Sequence, residues 1–187
     1  MVLPSQARRS TGTKHKIFLS YYHKDDQNYR DYFESYFRHT YITRSVQLGD
    51  INSDNSTEYI KRLIQEDYIS DASVVVVLVG PRTRCRKHVD WEISAGLNRK
   101  VGGCSGLLGI LLPEFPLTTD DKYRPSDLPP RLNDNVQTGY ASLYWWKSVV
   151  NDANFLTKIL DEAFDKRQTV ARSINNHRLQ MQRNTCD

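Results

Sequence analysis

A run of six consecutive apolar residues, Val74-Val75-Val76-Val77-Leu78-Val79, constrains the fold more than any other feature of this sequence. A strand with one solvent-exposed face would alternate apolar and polar residues, so an unbroken apolar run predicts a strand covered on both faces. Valine is branched at Cβ and suits a pleated surface, which favours a strand over a buried helix. Such a strand belongs in the middle of a parallel sheet, where ligands bind beyond the carboxyl ends of the strands. The segment from Gly80 to Glu92 is therefore the first place to look for a functional site.

Strand-like and helix-like segments alternate about five times along the chain. Strands are predicted at residues 16–20, 43–46, 74–79, 106–112 and 140–146. Apolar residues at helical spacing predict helices after residue 24, at 56–68, from residue 88 towards 102, and at 153–164. One stripe of aromatic residues in the first helix is predicted to be buried: Tyr29, Tyr32, Phe33, Tyr36 and Phe37. The alternation predicts an α/β fold, a flavodoxin-like doubly wound sheet of about five parallel strands with helices on both faces.

The chain is predicted to form one domain with short extensions at both ends. Residues 1–15 are polar and predict a flexible arm, residues 16–168 form the domain, and residues 169–187 form a basic, solvated tail. Within the domain, residues 113–137 contain five prolines and no helical periodicity, which predicts a long irregular connection.

Composition excludes several functional classes. A net charge of +4 is too small and too scattered to indicate nucleic-acid binding. The three cysteines Cys85, Cys104 and Cys186 share no short spacing, so we expect reduced thiols, with neither a disulfide framework nor a metal site. No apolar run approaches the roughly 18 residues that span a membrane, and no secretory signal is evident. A cytoplasmic location is predicted.

Motifs at the loops narrow the choice among flavodoxin-like families. The third strand ends in Leu78-Val79-Gly80 without a carboxylate, which argues against a phosphorylated receiver domain, and no glycine-rich phosphate loop follows the first strand. Four motifs discriminate: Lys16-Ile17-Phe18-Leu19-Ser20-Tyr21, Arg44-Ser45-Val46 with Gly49-Asp50-Ile51, Val77-Leu78-Val79-Gly80, and Lys87-His88-Val89-Asp90-Trp91-Glu92-Ile93. Together they resemble the Toll/interleukin-1 receptor (TIR) superfamily, and more closely its bacterial branch that includes the TIR subunit of Thoeris antiphage systems. The resemblance covers residues 16–167.

The resemblance implies an enzyme that cleaves the bond between nicotinamide and ribose in NAD, with Glu92 as the catalytic carboxylate. Glu92 also lies at the edge of the apolar stripe of its helix, near the carboxyl end of a central strand. Without the resemblance, a carboxylate in a first helical turn would more simply complement the helix dipole. Further substrate-binding residues are predicted on the neighbouring loops and helix: Ser20, Tyr21, Tyr22, Asp50, Gly80 and Trp91.

Trp91 and a basic loop next to its helix each have two interpretations. Trp91 is either a packing residue or a platform for a ring of the substrate. The basic loop at residues 82–87 is either a solvated charge run or a site for the pyrophosphate of NAD, since arginine forms bidentate bonds to phosphate. His88 and Asp90 are interpreted as polar groups of the helix start rather than as catalysts.

The resemblance implies NAD as a substrate, no other cofactor, self-association through TIR domains, and a separate effector reached by a diffusible nucleotide in antiviral defence. Two other functions stay open at this point. One is a non-enzymatic TIR scaffold that acts by association, and the other is an enzyme similar to nucleoside deoxyribosyltransferases, which use a glutamate on a related fold.

Overall fold

The computed structural model describes residues 15–38, 41–44, 56–64, 66, 69–98 and 103–186. Within these ranges the helices and strands follow in the order β1 Lys16–Ser20, α1 His23–Phe37, β2 Ile42–Arg44, α2 Thr57–Leu63, β3 Val74–Val79, α3 Lys87–Leu97, β4 Gly106–Leu111, α4 Pro130–Gln137, β5 Ser142–Trp145, α5 Trp146–Val150 and α6 Ala153–Thr169. Residues 1–14 of the predicted arm and the predicted loop at residues 47–54, which contains Asp50, lie outside the described residues.

All five strands form one parallel sheet in the order β2-β1-β3-β4-β5. The valine strand β3 lies at the centre, paired with β1 on one side and with β4 on the other, and all six of its residues are buried. Because successive side chains point to opposite faces, Val75, Val77 and Val79 pack against α2, α3 and α4. Val74 and Val76 pack, together with Leu78, against α1, α5 and α6. The predicted doubly wound α/β fold is confirmed.

Helix α1 buries less of its aromatic stripe than the periodicity predicts. Phe33 and Phe37 are fully buried, but Tyr32 is 46% exposed and Tyr36 is 52% exposed. Their rings stack on each other at a centroid distance of 5.7 Å. The prediction of one buried stripe is therefore wrong for these two tyrosines, because a helix on the outside of a sheet buries only the side chains that face the strands.

The proline-rich stretch at residues 113–137 is not an irregular connection throughout. It contains α4, which begins at Pro130 with Pro129 at its N-cap. A proline in the first turn is tolerated because the N–H that it lacks would have no partner inside the helix. Leu132 is buried between α4 and the sheet, and Arg131 and Asn135 are buried as well. The prediction missed this helix because it has only two turns and few apolar residues.

Residues 174–186, here called the C-terminal strap, run back over α3. The Trp91 indole N–H donates to the Met181 carbonyl at 2.8 Å, and the Met181 N–H donates to Asp90 at 2.8 Å. Arg178 forms an ion pair with Asp134 of α4 at 2.8 Å. The interpretation of this segment as a solvated tail is therefore wrong for the residues that contact α3 and α4, whereas Arg183 is exposed. Because the strap covers its outer side, α3 is buried along nine consecutive residues from Val89 to Leu97.

A disulfide between Cys85 and Cys186 closes the strap against the loop that precedes α3. The prediction of reduced thiols is wrong for this pair, and only Cys104 is free among the three cysteines. The two bonded cysteines are 101 positions apart in sequence, so their spacing gives no indication of the bond.

Candidate active site

Glu92 and Ser20 form a buried pair at the carboxyl edge of the sheet. Ser20 is the last residue of β1, and Glu92 lies in the second turn of α3, which begins soon after β3 ends. The Ser20 hydroxyl donates to Glu92 Oε2 at 2.5 Å, although the two residues are 72 positions apart. Ser20 is fully buried and Glu92 is 3% exposed. Parallel pairing of β1 with β3 thus brings the predicted catalytic carboxylate to one of the predicted substrate-binding residues.

The environment of Glu92 changes its charge state. Burial raises the pKa of the Glu92 carboxyl from 4.5 to about 8, and the hydrogen bond from Ser20 offsets only part of that rise. Removal from water disfavours the ionised form, whereas a nearby positive charge favours it. At neutral pH the free protein therefore holds Glu92 in the protonated form. A cation placed beside the carboxyl would promote loss of that proton.

Tyr21 and Tyr22 follow Ser20 on the loop between β1 and α1. Tyr21 is buried, its hydroxyl donates to Gln27 at 3.0 Å, and burial raises the pKa of Tyr21 to about 12. Its hydroxyl therefore stays protonated at neutral pH. Tyr22 is the N-cap residue of α1, and the guanidinium of Arg86 lies 4.1 Å from the centroid of its ring. This loop is thus fixed by contacts with α1 and with the segment before α3.

The arginines of the basic loop at residues 82–87 have specific partners. Arg82 forms a bidentate ion pair with Asp25 of α1, and Arg84 donates to the Ser126 carbonyl at 2.9 Å. Arg86 is 7% exposed, and its Nε donates to the Arg82 carbonyl at 3.3 Å. The solvated interpretation of this loop is therefore wrong for Arg86.

Gly80 stands where the chain leaves β3 and meets α1. A Cβ atom at this position would lie 2.4 Å from Asp26 Oδ1, so any larger residue would displace the Asp26 side chain. Thr83 accepts a hydrogen bond from the Gly80 N–H at 2.8 Å and donates to Asp26 at 3.1 Å. Burial raises the pKa of Asp26 to about 6. These contacts give Gly80 a packing role at the edge of the site, while its prediction as a substrate-binding residue stays a prediction.

Trp91 lies apart from the Glu92–Ser20 pair. Its ring is 1% exposed and belongs to the core formed with α2 and the strap, and Lys61 and Lys87 lie over it at 5.2 and 5.1 Å. Neighbouring residues of a helix point in directions about 100° apart, so Trp91 and Glu92 face different surroundings. The placement supports packing, one of the two alternatives for Trp91. Asp50 lies outside the described residues, so its prediction is not tested.

Among the described residues, two of the cavities lie near the carboxyl edge of the sheet. The larger, of about 580 Å³, is lined by acidic and aromatic residues: Asp25, Asp26, Asn28, Tyr29, Tyr32, Pro81, Glu114 and Trp146. The smaller, of about 150 Å³, is lined by Tyr21, Tyr22, His23, Arg86, Lys87, His88, Val89 and Asn184. Only the smaller cavity is basic, and it contains two of the predicted substrate-binding residues. Its Val89 precedes Glu92 by three positions in α3, which places the two on neighbouring parts of one helix face.

Two features of this region were missed by sequence reasoning. Asn184 comes to the cavity from the strap, 97 positions after Lys87, whose N–H donates to it at 3.1 Å. Asp90 forms a buried bidentate ion pair with Arg131, which belongs to the helix that was not predicted. The sequence carries no signal for Asn184, but Pro130 followed by Leu132 and Val136 at helical spacing would have indicated α4.

A family model described as Thoeris protein ThsB, TIR-like domain, matches residues 18–115. The match covers 98 of the 187 residues, from β1 to beyond β4, and includes Ser20 and Glu92. The chain belongs to this TIR-like family. Apart from Lys16 and Ile17 at the start of the first motif, the motifs that suggested the resemblance fall within the matched part of the TIR-like domain, whereas the strap lies after it.

The other comparisons add little to this assignment. No curated protein matches the chain. Among solved structures, the TIR-like domain is similar to the TIR domains of the activated Roq1 resistosome directly recognizing the pathogen effector XopQ, at 14% identity and a TM-score of 0.39. That match covers 87% of this chain and 81% of the other. In the described parts of the chain, no helix is both long and apolar enough to cross a bilayer.

Proposed function

We propose that this TIR-like protein consumes NAD by cleaving the bond between nicotinamide and ribose, with Glu92 as the catalytic carboxylate. The observation that carries the proposal is the buried Glu92–Ser20 pair at the carboxyl edge of the sheet, where Tyr21, the residue after Ser20, lines a basic cavity. Ligands of open parallel sheets bind at this edge. A carboxyl group with a strongly shifted pKa in such a crevice is a candidate for catalysis.

One carboxylate suffices for this reaction. Ordinary glycosidases need a second carboxyl group to protonate the leaving oxygen. Nicotinamide leaves a positively charged pyridinium as a neutral molecule, so no acid has to protonate it. The group that needs stabilisation is the ribose, which gains positive charge as the bond breaks. A carboxylate held near the ribose stabilises that charge and orients the sugar.

The raised pKa of Glu92 fits a cationic substrate. In the free protein the carboxyl is protonated at neutral pH, because its pKa is about 8. The positive nicotinamide ring of oxidised NAD lowers the pKa of a carboxyl beside it, so binding and ionisation of Glu92 favour each other. Reduced NAD carries a neutral ring and gives no such coupling. The site is therefore suited to the oxidised form.

The biological part of the proposal follows the family. The freed ribose carbon reacts with water to give ADP-ribose, or with a group of the same molecule to give a cyclic product. Either product serves as a diffusible signal to a separate effector in antiviral defence, in the cytoplasm. Self-association through TIR domains is part of this proposal, and it predicts that activity per subunit falls on dilution.

The test is NAD turnover by the purified protein and by Glu92→Gln. The substitution keeps size and removes charge, so turnover should fall at least about 100-fold, the scale of one lost electrostatic group. Glu58→Gln is the matched control, because the Glu58 side chain is exposed on α2. Deoxynucleosides serve as alternative substrates, and a dilution series tests self-association. A wild-type protein that leaves NAD intact at all concentrations, or a Glu92→Gln variant of near wild-type rate, would contradict the proposal.

A further inference from the structure

The geometry points to the small basic cavity as a phosphate-binding pocket, in which Asn184 of the strap and Arg86 hold one phosphate group of the substrate. This inference rests on the proposed function for the identity of the substrate, but one of its two residues, Asn184, lies after residue 115 and so outside the family match. Three observations support it: the charge of Arg86, the positive N-terminal end of α3 and the free side-chain amide donor of Asn184.

The first observation is that Arg86 is a buried cation without a counter-charge. Its guanidinium packs on the ring of Tyr22, and its described hydrogen bonds go to the Arg82 carbonyl and, at 3.9 Å, to Cys186 Sγ. No carboxylate pairs with it among the described residues, and its Nη1 has no hydrogen-bond partner there. Burial of a charge is costly unless an opposite charge compensates it. An anion in the cavity that Arg86 lines would provide that compensation.

The second observation is that α3 begins at the same cavity. Lys87 is its first residue, and Lys87, His88 and Val89 all line the space. The first N–H groups of a helix have no partner inside the helix, and the helix dipole makes this end positive. Such an end favours phosphate oxygens. The buried guanidinium and the helix start thus direct positive charge into one cavity.

The third observation is the position of Asn184. Its Oδ1 accepts from the Lys87 N–H at 3.1 Å, which leaves its Nδ2 as a donor with no hydrogen-bond partner in the described part of the chain. Directly after Asn184, the strap is fixed by a bond from the Thr185 N–H to the Cys85 carbonyl at 3.1 Å and by the Cys85–Cys186 disulfide. The disulfide therefore holds an amide donor at the wall of the cavity.

The size of the cavity limits what it can hold. Pockets for complete small molecules have volumes of roughly 300–1,000 Å³. About 150 Å³ is too small for a dinucleotide but sufficient for one phosphate group. One phosphate of NAD would thus bind here, while nicotinamide and its ribose lie towards Glu92.

The experiment compares Asn184→Asp with the wild type. Aspartate keeps an oxygen that accepts from the Lys87 N–H, so the first N–H group of α3 keeps its hydrogen-bond partner. The substitution replaces the free amide donor with a negative charge. Gln182→Glu is the matched control, because it adds the same charge to the strap at a residue that does not line the cavity. The readouts are KM and kcat for NAD, the affinity for inorganic pyrophosphate by calorimetry, and the melting temperature.

We expect Asn184→Asp to raise KM for NAD at least about tenfold, the effect of one lost hydrogen bond to a charged group. The affinity for pyrophosphate should fall by a similar factor, with kcat and the melting temperature close to wild type. Unchanged KM and pyrophosphate affinity, or an equal loss in Gln182→Glu, would overturn the inference. If the wild type does not consume NAD, the proposed function fails, and pyrophosphate binding alone then decides the pocket: binding that Asn184→Asp weakens supports it, and no binding overturns it.

Discussion

Replacement of Glu92 with glutamine is expected to stabilise the folded protein at alkaline pH while it removes activity. Burial raises the pKa of Glu92 from 4.5 to about 8, so between these two values the folded state retains a proton that the unfolded state has released. The contribution of the neutral carboxyl to the free energy of unfolding is fully present below pH 4.5. It falls as the pH rises from 4.5 to about 8, where the folded protein also releases the proton. This loss is about 1.4 kcal/mol for each pH unit in the window, or about 5 kcal/mol in total. Glutamine does not ionise, so the free energy of unfolding of the variant does not show this loss.

Urea unfolding of both proteins at pH 5, 7 and 9 measures this effect. Groups other than Glu92 titrate in both proteins, so their contributions cancel in the difference between the two free energies of unfolding. The advantage of Glu92→Gln should be below about 1 kcal/mol at pH 5, about 3 kcal/mol at pH 7 and about 5 kcal/mol at pH 9. Glu58→Gln, at a side chain that is 84% exposed, should show no such growth. A difference between wild type and Glu92→Gln that stays constant from pH 5 to pH 9 would refute the reasoning.

Two further predictions concern the surroundings of α3. Arg131→Met should lower the free energy of unfolding by about 3–5 kcal/mol, because it leaves Asp90 buried without its partner, whereas Arg178→Met at the more exposed pair with Asp134 should cost under about 1 kcal/mol. If urea unfolding shows the same loss in the free energy of unfolding for both variants, the buried ion pair between Arg131 and Asp90 contributes no more to stability than the more exposed one. Trp91→Ala should lower stability by about 3–5 kcal/mol and leave KM for NAD unchanged, because the ring is core. A raised KM with unchanged stability would instead place Trp91 in the substrate site.

The sheet could be predicted because its signals are local. Six apolar residues in a row indicate the central strand, and helical spacing of apolar residues between strands indicates the crossovers. The position of Glu92 near the carboxyl edge follows from the same local pattern, whereas the catalytic role proposed for it came from the resemblance. The exposed faces of Tyr32 and Tyr36 were not predicted, since periodicity fixes which side chains share a face but not how far the covering layer extends.

The surroundings of Glu92 could not be predicted, because they depend on contacts between distant parts of the chain. The pairing of Ser20 with Glu92 needs the register of β1 and β3, which no local pattern contains. Asn184 reaches the cavity from the strap, which the Cys85–Cys186 disulfide fixes and whose polar sequence resembles that of a solvated tail. The pKa of Glu92 follows from burial by all of these elements together, so it too appears only in the folded structure.

The position of the strap also determines when the cavity is completed during folding. Bonds from the strap to α3 join residues 90, 91 and 97 positions apart, and the disulfide joins residues 101 apart. Contacts of such high sequence separation carry a large loop-closure entropy, and they form slowly compared with local ones. During synthesis, the residues of β1 to α6 emerge before residues 174–186. We therefore expect the sheet to form before the proposed phosphate pocket, and a folding intermediate with a formed sheet would lack the wall that Asn184 provides.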